Sequence, residues 1–323
     1  MNTMNAAVLA DYGQVPTLGQ LPVPQPAAGQ LRIRMEAASI KQLDKLKASG
    51  KHYTRYPAFP VAVGVDGVGR TEDGRRVYAM GVTGMLAEYA LVDEQDCVSV
   101  PESLPASLAA VLPNALLGSD AALVERAHIQ PGQVVLINGA TGVSGRMAVQ
   151  AARIRGAGRI IATGRNASSL QQLHALGADQ CISLLDEPAR ILEQLTQVQQ
   201  HSPVNIVLDY LWGQPMQILL QAFARHCPEP VSIITIGQMA GANIELASGT
   251  LRSQPINLMG SGLGSISKPQ LRQYNHQHLT AMLARAAAGE LVADYQEFTL
   301  ADISQAWQAT VEPGARAVVR MVG

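Results

Sequence analysis

Hydrophobic and polar residues follow two different periods along the chain, and the period changes near residue 130. Before that point, residues 31–37 and 87–92 alternate with period two, which is typical of half-buried β-strands. Turn signals separate such stretches, among them Asp73-Gly74 and the proline-rich residues 22–26. The pattern predicts an all-β domain, a partly open barrel, that extends to about residue 115.

After that point, uninterrupted apolar runs alternate with stretches of helical spacing. The run Val134-Val135-Leu136-Ile137 is mostly β-branched, as expected of a strand buried on both faces of a parallel sheet. Runs of this kind predict strands at 134–138, 159–163, 180–184, 204–209, 231–236 and 256–260. Helical spacing predicts helices between them at 168–176, 187–198 and 216–226. The expected fold class is α/β, with a doubly wound parallel sheet of six strands.

Two segments outside this sheet complete the predicted organisation. Helical spacing is present at 107–127 and again at 270–288, and residues 317–321 form a last apolar strand. We expect the C-terminal segment to return to the β-rich domain. The predicted domains are therefore residues 1–115 together with 266–323, and residues 116–265.

A glycine-rich turn follows the first strand of the predicted sheet. A strand, a tight glycine turn and a helix together bind a dinucleotide pyrophosphate, because the backbone approaches closely and the helix N-terminus supplies N–H donors. The strict G-x-G-x-x-G pattern is not met, since Ala140 stands at its first position. The strand–turn–helix–strand context nevertheless indicates cofactor binding by Gly139, Ala140, Thr141, Gly142, Val143, Ser144 and Gly145.

The end of the second sheet strand indicates which dinucleotide is bound. Arg165 lies about twenty residues after the last glycine, where NAD-binding units carry an acidic residue for the ribose 2′-hydroxyl. An arginine there, with Gly164, Asn166 and Ser168 beside it, suits a 2′-phosphate and predicts NADPH. Asp209, Gly237 and Gly260 end later strands, at the edge where doubly wound sheets meet their ligands.

Composition excludes several classes of partner. The 323 residues carry a net charge of −1, which gives no basic footprint for nucleic acid or an anionic membrane. No uncharged apolar stretch is long enough to span a bilayer, and no signal peptide precedes the first strand. The three cysteines are widely separated and form no C-x-x-C pair, which is typical of a reducing compartment. We therefore expect a cytoplasmic protein.

Several motifs, in this order, resemble the medium-chain dehydrogenase/reductase superfamily, and specifically its zinc-free quinone oxidoreductase branch. The resemblance covers essentially the whole chain. The residues that carry it are 56–60 (YPAFP), 64–69 (GVDGVG), 84–90 (GMLAEYA), 138–142 (NGATG), 176–179 (LGAD), 260–264 (GSGLG) and 298–300 (FTL). The resemblance implies a GroES-like substrate domain for residues 1–115 with 266–323, and a Rossmann NADPH-binding domain for 116–265.

Relatives that use zinc hold the metal through a Cys before a C-x-x-D, a His and a later Cys. The corresponding residues here look to be Lys41, with Asp44 as the Asp, then Val65 and Asn114. A lysine, a valine and an asparagine do not replace thiolate and imidazole as zinc ligands. The resemblance thus implies no metal site, with Asn114 among the cofactor-binding residues. It further implies zinc-independent hydride transfer from NADPH to a quinone or an α,β-unsaturated carbonyl compound.

Two residues are candidates for catalysis. Tyr53 resembles the substrate-side tyrosine of the branch, where it would hydrogen-bond an acceptor carbonyl or donate a proton, but it could also be a rim aromatic. Lys41 could stabilise a developing oxyanion, or it could form a structural ion pair with Asp44 or Asp66. The branch usually has Asn where Lys41 stands, Tyr at Leu46 and Thr at Gly118.

Two alternatives to this enzymatic function remain at this point. One is an NADPH-binding regulatory or structural protein without turnover, and the other is a zinc-free enoyl-thioester reductase. The predicted last sheet strand at 256–260 is an apolar edge without charge, which is a liability in a monomer. Because related proteins pair this edge across a two-fold axis, a homodimer is expected.

Overall fold

The chain folds into two compact units, seen here in a computed structural model that describes residues 2–262 and 264–321. The first unit comprises Met1–Asn114 and Pro269–Gly323, and the second comprises Ala115–Lys268. Leu263, which belongs to the family-like stretch at 260–264, lies outside the described residues.

The first unit is built from antiparallel sheets. Its strands are β1 (Thr3–Leu9), β2 (Thr17–Pro22), β3 (Gln30–Ser39), β4 (Val61–Ala62), β5 (Asp66–Thr71), β6 (Arg76–Met80), β7 (Tyr89–Asp93), β8 (Val98–Ser99), β15 (Asp294–Thr299) and β16 (Ala315–Arg320). A three-stranded sheet has the order β2-β1-β4. A second sheet has the order β15-β16-β3-β5-β6-β8, with β7 paired to β3. Only β15 and β16 pair in parallel within it. The core of this unit includes fully buried Ile33, Met35 and Leu86.

The second unit contains a parallel six-stranded sheet. Its strands are β9 (Val134–Asn138), β10 (Arg159–Gly164), β11 (Gln180–Ser183), β12 (Ile206–Asp209), β13 (Val231–Thr235) and β14 (Ile256–Gly260). Their order is β11-β10-β9-β12-β13-β14. Strands β10 and β11 are added on one side of β9, and strands β12 to β14 are added on its other side. This is the doubly wound order in which ligands bind beyond the carboxyl ends of the central strands. The predicted fold class is confirmed.

The helices follow the predicted alternation in the second unit. The α-helices of the described chain are α1 (Gln42–Ala48), α2 (Ala106–Leu117), α3 (Val143–Ile154), α4 (Ala167–Leu176), α5 (Pro188–His201), α6 (Gly213–Arg225), α7 (Ser248–Ser253), α8 (Lys268–Tyr274), α9 (Thr280–Ala287) and α10 (Ile303–Gln308). The helix predicted at 270–288 is present as α8 and α9 joined by the π-helical turn Asn275–Leu279.

The β-rich domain differs from its prediction in three elements. It contains the helix α1, because Asp44 at its third position accepts a hydrogen bond from the Lys41 backbone N–H at 2.8 Å and closes the first turn. The strands β2 and β15 are largely exposed and polar, so they lack the apolar alternation that marks a half-buried strand. Pro22 ends β2 at a sheet edge, where its missing N–H is harmless.

One helical run is long and apolar enough to cross a membrane by length and composition alone. It covers Ala106–Arg126, and 72% of its most apolar window is buried inside the protein. The run also contains Asp120, whose carboxylate accepts two hydrogen bonds from Arg155, at 2.7 and 2.6 Å. A buried core helix of a globular protein has these properties.

Candidate functional site

The glycine turn after β9 forms an open cradle at the N-terminus of α3. Gly139 has φ +90°, a left-handed conformation that favours glycine, and a Cβ there would lie 2.8 Å from the Leu211 side chain. A Cβ on Gly145 would lie 2.5 Å from the Gly139 carbonyl oxygen, so this glycine allows α3 to approach the turn. A Cβ on Gly142 would meet nothing within 4 Å, so the space beside the turn is open.

The backbone amides of this turn divide into two groups. The Gly139 N–H donates to Thr163 Oγ1 at 3.1 Å, and the Ala140 N–H donates to the Thr163 carbonyl at 2.8 Å. Val143, Ser144 and Gly145 form the first turn of α3, whose N–H groups have no acceptor within the helix. The N-cap is Gly142, which has no side chain to satisfy them. The first-turn amides are therefore available to an anionic group, and the helix dipole favours one there.

The residues after β10 present donors and no carboxylate. Arg165 is exposed and makes no hydrogen bond or ion pair with any residue that the structure describes. Asn166 caps α4: its side-chain oxygen accepts from the Ser169 N–H and from the Ser168 hydroxyl, both at 2.8 Å. Its amide nitrogen keeps two donors. Gly164 lies next to the turn, since a Cβ on it would stand 2.5 Å from the Thr141 methyl group.

Three sequence candidates at the ends of later strands have different surroundings. The Asp209 carboxylate is fully buried and accepts hydrogen bonds from the Asn138 amide at 2.7 Å and from the Leu211 and Trp212 N–H groups. Burial raises its pKa, and these hydrogen bonds act in the opposite direction. Its oxygens therefore hold the loop that leads into α6. Gly237 packs against the Tyr210 carbonyl, whereas Gly260 is exposed and faces open space.

Within the first unit, Lys41 lies in a buried ion-pair cluster. Its ammonium nitrogen lies 2.7 Å from Asp66 Oδ1 and 3.2 Å from Asp44 Oδ2, and it donates to the Ser39 carbonyl at 2.6 Å. Side-chain exposure is 2% for Lys41 and 0% for Asp44. An ammonium group has three donors, and its three hydrogen bonds go to Asp66 Oδ1, the Ser39 carbonyl and, at 3.4 Å, Ser39 Oγ, while Asp44 contributes its charge.

Two further side chains complete this cluster, and no pattern in the sequence marks either of them. The Tyr78 hydroxyl donates to Asp66 Oδ2 at 2.9 Å; burial, and then the Asp66 charge, raises the pKa of this hydroxyl. Burial lowers the pKa of Arg316, while Asp66 and Asp44 oppose that change. Arg316 also donates to Asn114 Oδ1 at 3.3 Å. The structure thus brings Lys41, Asn114 and both aspartates into one network of alternating charge.

Tyr53 lies outside that network, on the loop after α1. It is 73% exposed, and its ring lies 4.0 Å from the His52 ring, centroid to centroid. The nearby Tyr56 is half-buried, with the Lys47 ammonium 4.7 Å from its ring centroid. Burial raises the pKa of the Tyr56 hydroxyl. Tyr53 therefore presents a free aromatic surface, whereas Tyr56 packs with Phe59 and Tyr12.

The described part of the chain lacks a cluster of side chains that could bind a metal ion. Among residues 2–262 and 264–321, no group of three or more His, Cys, Asp or Glu side chains is arranged to hold a metal ion. Val65 contributes only its backbone here, donating its N–H to Asp44 Oδ1 at 2.8 Å.

Comparison with known proteins places this geometry in a family. A model described as zinc-binding dehydrogenase matches residues 144–279. A probable NADPH-dependent quinone reductase, tdiC of Emericella nidulans, is 27% identical and aligns over 98% of this chain and 99% of that protein. An NADPH-dependent alkenal/one oxidoreductase of Arabidopsis thaliana, described as chloroplastic, is 30% identical over 57% of this chain and 53% of that protein.

A solved structure gives the same result. The quinone oxidoreductase from Thermus thermophilus, also determined as its complex with NADPH, has a TM-score of 0.76 and 27% identity. The match covers 98% of this chain and 100% of that chain. Together with the fold, these relatives support an oxidoreductase. The chain belongs to the medium-chain dehydrogenase/reductase superfamily, in its quinone-reductase-like branch.

Proposed function

We propose that the protein is a zinc-independent, NADPH-dependent reductase that transfers hydride to a quinone or an α,β-unsaturated carbonyl compound. The observation that carries this proposal is the Lys41 cluster, because its ammonium occupies the space between Asp44 and Asp66 at the position where zinc-using relatives have a ligand. A cation in that place repels a second cation, and neither Val65 nor Asn114 supplies a thiolate or imidazole. A conjugated acceptor suits such a site, since it delocalises the incoming charge without a Lewis acid.

The glycine turn and the end of β10 are the proposed cofactor site. NADPH, when bound, supplies the hydride. The free amides of Val143, Ser144 and Gly145, with the turn residues Thr141 and Gly142, would bind its pyrophosphate. Arg165, with the Asn166 amide and Ser168, would bind the 2′-phosphate, and no carboxylate at this strand end competes for a ribose hydroxyl. Gly164 and Gly260 would keep the adjoining space open, while Asp209 and Gly237 would shape the loops.

The two catalytic candidates are assigned different roles. We infer that Lys41 holds the cluster together, since its three donors are used by two oxygens of Ser39 and by Asp66, and its charge also pairs with Asp44. Tyr53 is proposed to contact the substrate, because its ring and hydroxyl are exposed and its neighbour His52 stacks on only one side. A planar quinone or enone would gain a stacking surface and a hydrogen-bond donor from it.

Steady-state oxidation of NADPH, followed by absorbance, tests the proposal. The acceptors are 1,4-benzoquinone, 9,10-phenanthrenequinone, 2-hexenal and crotonyl-coenzyme A, with NADP⁺ plus a primary alcohol as the reverse-direction control. The proposal expects turnover with a quinone or the enal, and equal rates with and without a chelator. NADPH binding without turnover would favour the regulatory alternative. Turnover confined to the thioester would favour an enoyl-thioester reductase.

The assembly and compartment are part of the same proposal. The edge strand β14 pairs only with β13 among the described strands, and Asn257 and Gly260 on it are exposed. A second copy could extend the sheet there, so a homodimer through Ile256–Gly260 is proposed. Cys97, Cys181 and Cys227 are all free thiols, which suits the proposed cytoplasmic location.

A further inference from the structure

The first unit contains an arginine-lined cleft that shares no residue with the Lys41 cluster. The cleft has a volume of about 540 Å³ and is lined by residues of β3, β5, β6 and β16 and by the segment that leads into α2. Pockets of about 300–1,000 Å³ are typical of small-molecule sites. Four of its lining residues are arginines and two are glutamates: Arg34, Arg70, Arg76, Arg320, Glu36 and Glu102.

Three of the arginines form a row across neighbouring strands. Arg34 on β3 stands opposite Arg70 on β5, and Arg70 stands opposite Arg76 on β6. Like charges directly opposite each other on a sheet are destabilising, so such a row needs counter-charges. Glu36 supplies one, with contacts of 2.9 Å to Arg70 and 2.8 Å to Arg76.

Two arginines of the cleft, Arg70 and Arg76, form hydrogen bonds and ion pairs within the protein. Arg76 is buried and donates to the Pro101 and Leu104 carbonyls, each at 2.7 Å, in addition to Glu36. Arg70 binds Glu102 through both terminal nitrogens. These contacts fix the two guanidinium groups and use both glutamates, so Arg70 and Arg76 form the frame of the cleft.

The other two arginines keep donors that this frame does not use. The Arg34 side chain is exposed and makes no hydrogen bond or ion pair with the residues that the structure describes. Arg320 has a buried Nε without a hydrogen-bond partner there, and its only ion pair is a 3.7 Å contact with Glu297. Because an arginine has five donors in a fork that matches an oxyanion, two such groups converging on one cleft form an anion site.

The rest of the lining determines what kind of anion fits. Four arginines face two glutamates in the lining, and Glu297 lies 3.7 Å from Arg320 outside it, so the cleft keeps an excess of positive charge that favours an anionic group. Ala106 begins α2, so the N-terminus of a twelve-residue helix adds partial positive charge at the same place. Leu104, Pro105 and Ala106 give the cleft an apolar wall, and its volume exceeds that of a bare oxyanion.

We propose that this cleft binds the phosphate of a small phosphate monoester, with Arg34 and Arg320 as the binding residues and the apolar wall beside its organic part. The site shares no residue with the proposed dinucleotide turn, because every residue of the cleft belongs to the first unit and the turn belongs to the second. The inference does not depend on the proposed reductase activity.

Isothermal titration of the full chain with phenyl phosphate tests the proposal, with inorganic phosphate and benzoate as comparison probes at matched ionic strength. Phenyl phosphate should bind more tightly than inorganic phosphate, and benzoate should bind most weakly. Arg34→Gln removes one charge-assisted contact and should raise the Kd for phenyl phosphate about tenfold or more. This variant should fold normally, since Arg34 has no partner in the described structure to lose.

Two matched variants make the result decisive. Arg32→Gln alters a neighbouring arginine on β3 that pairs with Glu72 at 2.6 Å and does not line the cleft, so it should leave the Kd unchanged. In the Arg165→Ala background, which removes the arginine proposed to bind the 2′-phosphate of NADPH, phenyl phosphate should still bind and Arg34→Gln should still raise its Kd. The proposal is overturned if phenyl phosphate does not bind at millimolar concentration, if Arg34→Gln binds as the wild type does, or if Arg165→Ala removes the binding.

Discussion

Replacing Lys41 with methionine tests whether this cation stabilises the fold or takes part in the reaction. Methionine has a similar length but no charge, so the substitution removes the contacts of 2.7 and 3.2 Å to the two aspartates and the 2.6 Å contact to the Ser39 carbonyl. Asp44 and Asp66 would remain buried without the cation that contacts both of them, and Arg316 would be the cation that remains in the cluster.

The size of the effect follows from this burial. Removing one partner of a buried ion pair lowers the free energy of unfolding by about 3–5 kcal/mol, because the remaining charge is left uncompensated. For a domain of this size class, each kcal/mol shifts the Tm by about 2–4 °C, so Lys41→Met should lower it by about 6–20 °C. Turnover per folded molecule should be retained, since Lys41 has no donor left for a substrate.

Circular dichroism during thermal unfolding gives the Tm, and NADPH oxidation at a temperature well below it gives the turnover. Lys45→Met is the matched control: it lies on the same helix, and its side chain makes no contact comparable to that of Lys41. The double variant Lys41→Met/Asp66→Asn should be more stable than Lys41→Met alone, because it also removes one of the unpaired charges. A Tm that stays constant while turnover falls about a hundredfold, as for a lost oxyanion donor, would refute this reasoning.

Three further predictions test the proposed cofactor site and assembly. Arg165→Ala should raise the Kd for NADPH about ten- to a hundredfold, because a charge-assisted contact is lost, and should leave the Kd for NADH unchanged. Arg190→Ala, at another exposed arginine, is the control. Equal affinity of the wild type for both cofactors in fluorescence titration would contradict this prediction. Asp209→Asn should leave the Kd for NADPH unchanged, because the carboxylate accepts hydrogen bonds from Asn138, Leu211 and Trp212. An increase in this Kd as large as that caused by Arg165→Ala would show that Asp209 binds the cofactor. Light scattering at micromolar concentration should give the mass of a dimer, and a monomer would argue against pairing through Ile256–Gly260.

The sheet of the second unit could be predicted from the sequence, but several features of the first unit could not. Consecutive β-branched residues such as 134–137 identify a buried parallel strand locally, and the glycines that follow identify the turn. The helix α1 depends instead on a carboxylate at its third position that caps a lysine, which is not a usual capping pair. The exposed strands β2 and β15 carry no apolar alternation to detect.

The candidate site, too, could be predicted only in part from the sequence. The resemblance to zinc-using relatives indicates Asp44 or Asp66 as an ion-pair partner of Lys41 from the sequence alone, and the structure shows that both pair with it. The participation of Tyr78 and Arg316, by contrast, depends on strands far apart in the chain, so only the folded structure reveals it. The arginine row of the cleft is equally a product of strand register.

Transfer of deuterium from NADPH that carries deuterium in place of both hydrogens at the nicotinamide C4 position tests the central claim most directly. The labelled cofactor and 2-hexenal are incubated with the protein in the presence of a chelator, and the product is analysed by mass spectrometry. We expect one deuterium at the β-carbon of saturated hexanal, because hydride passes to the conjugated carbon without a metal. Product that lacks the label, or product that forms only after zinc is added back, would contradict it.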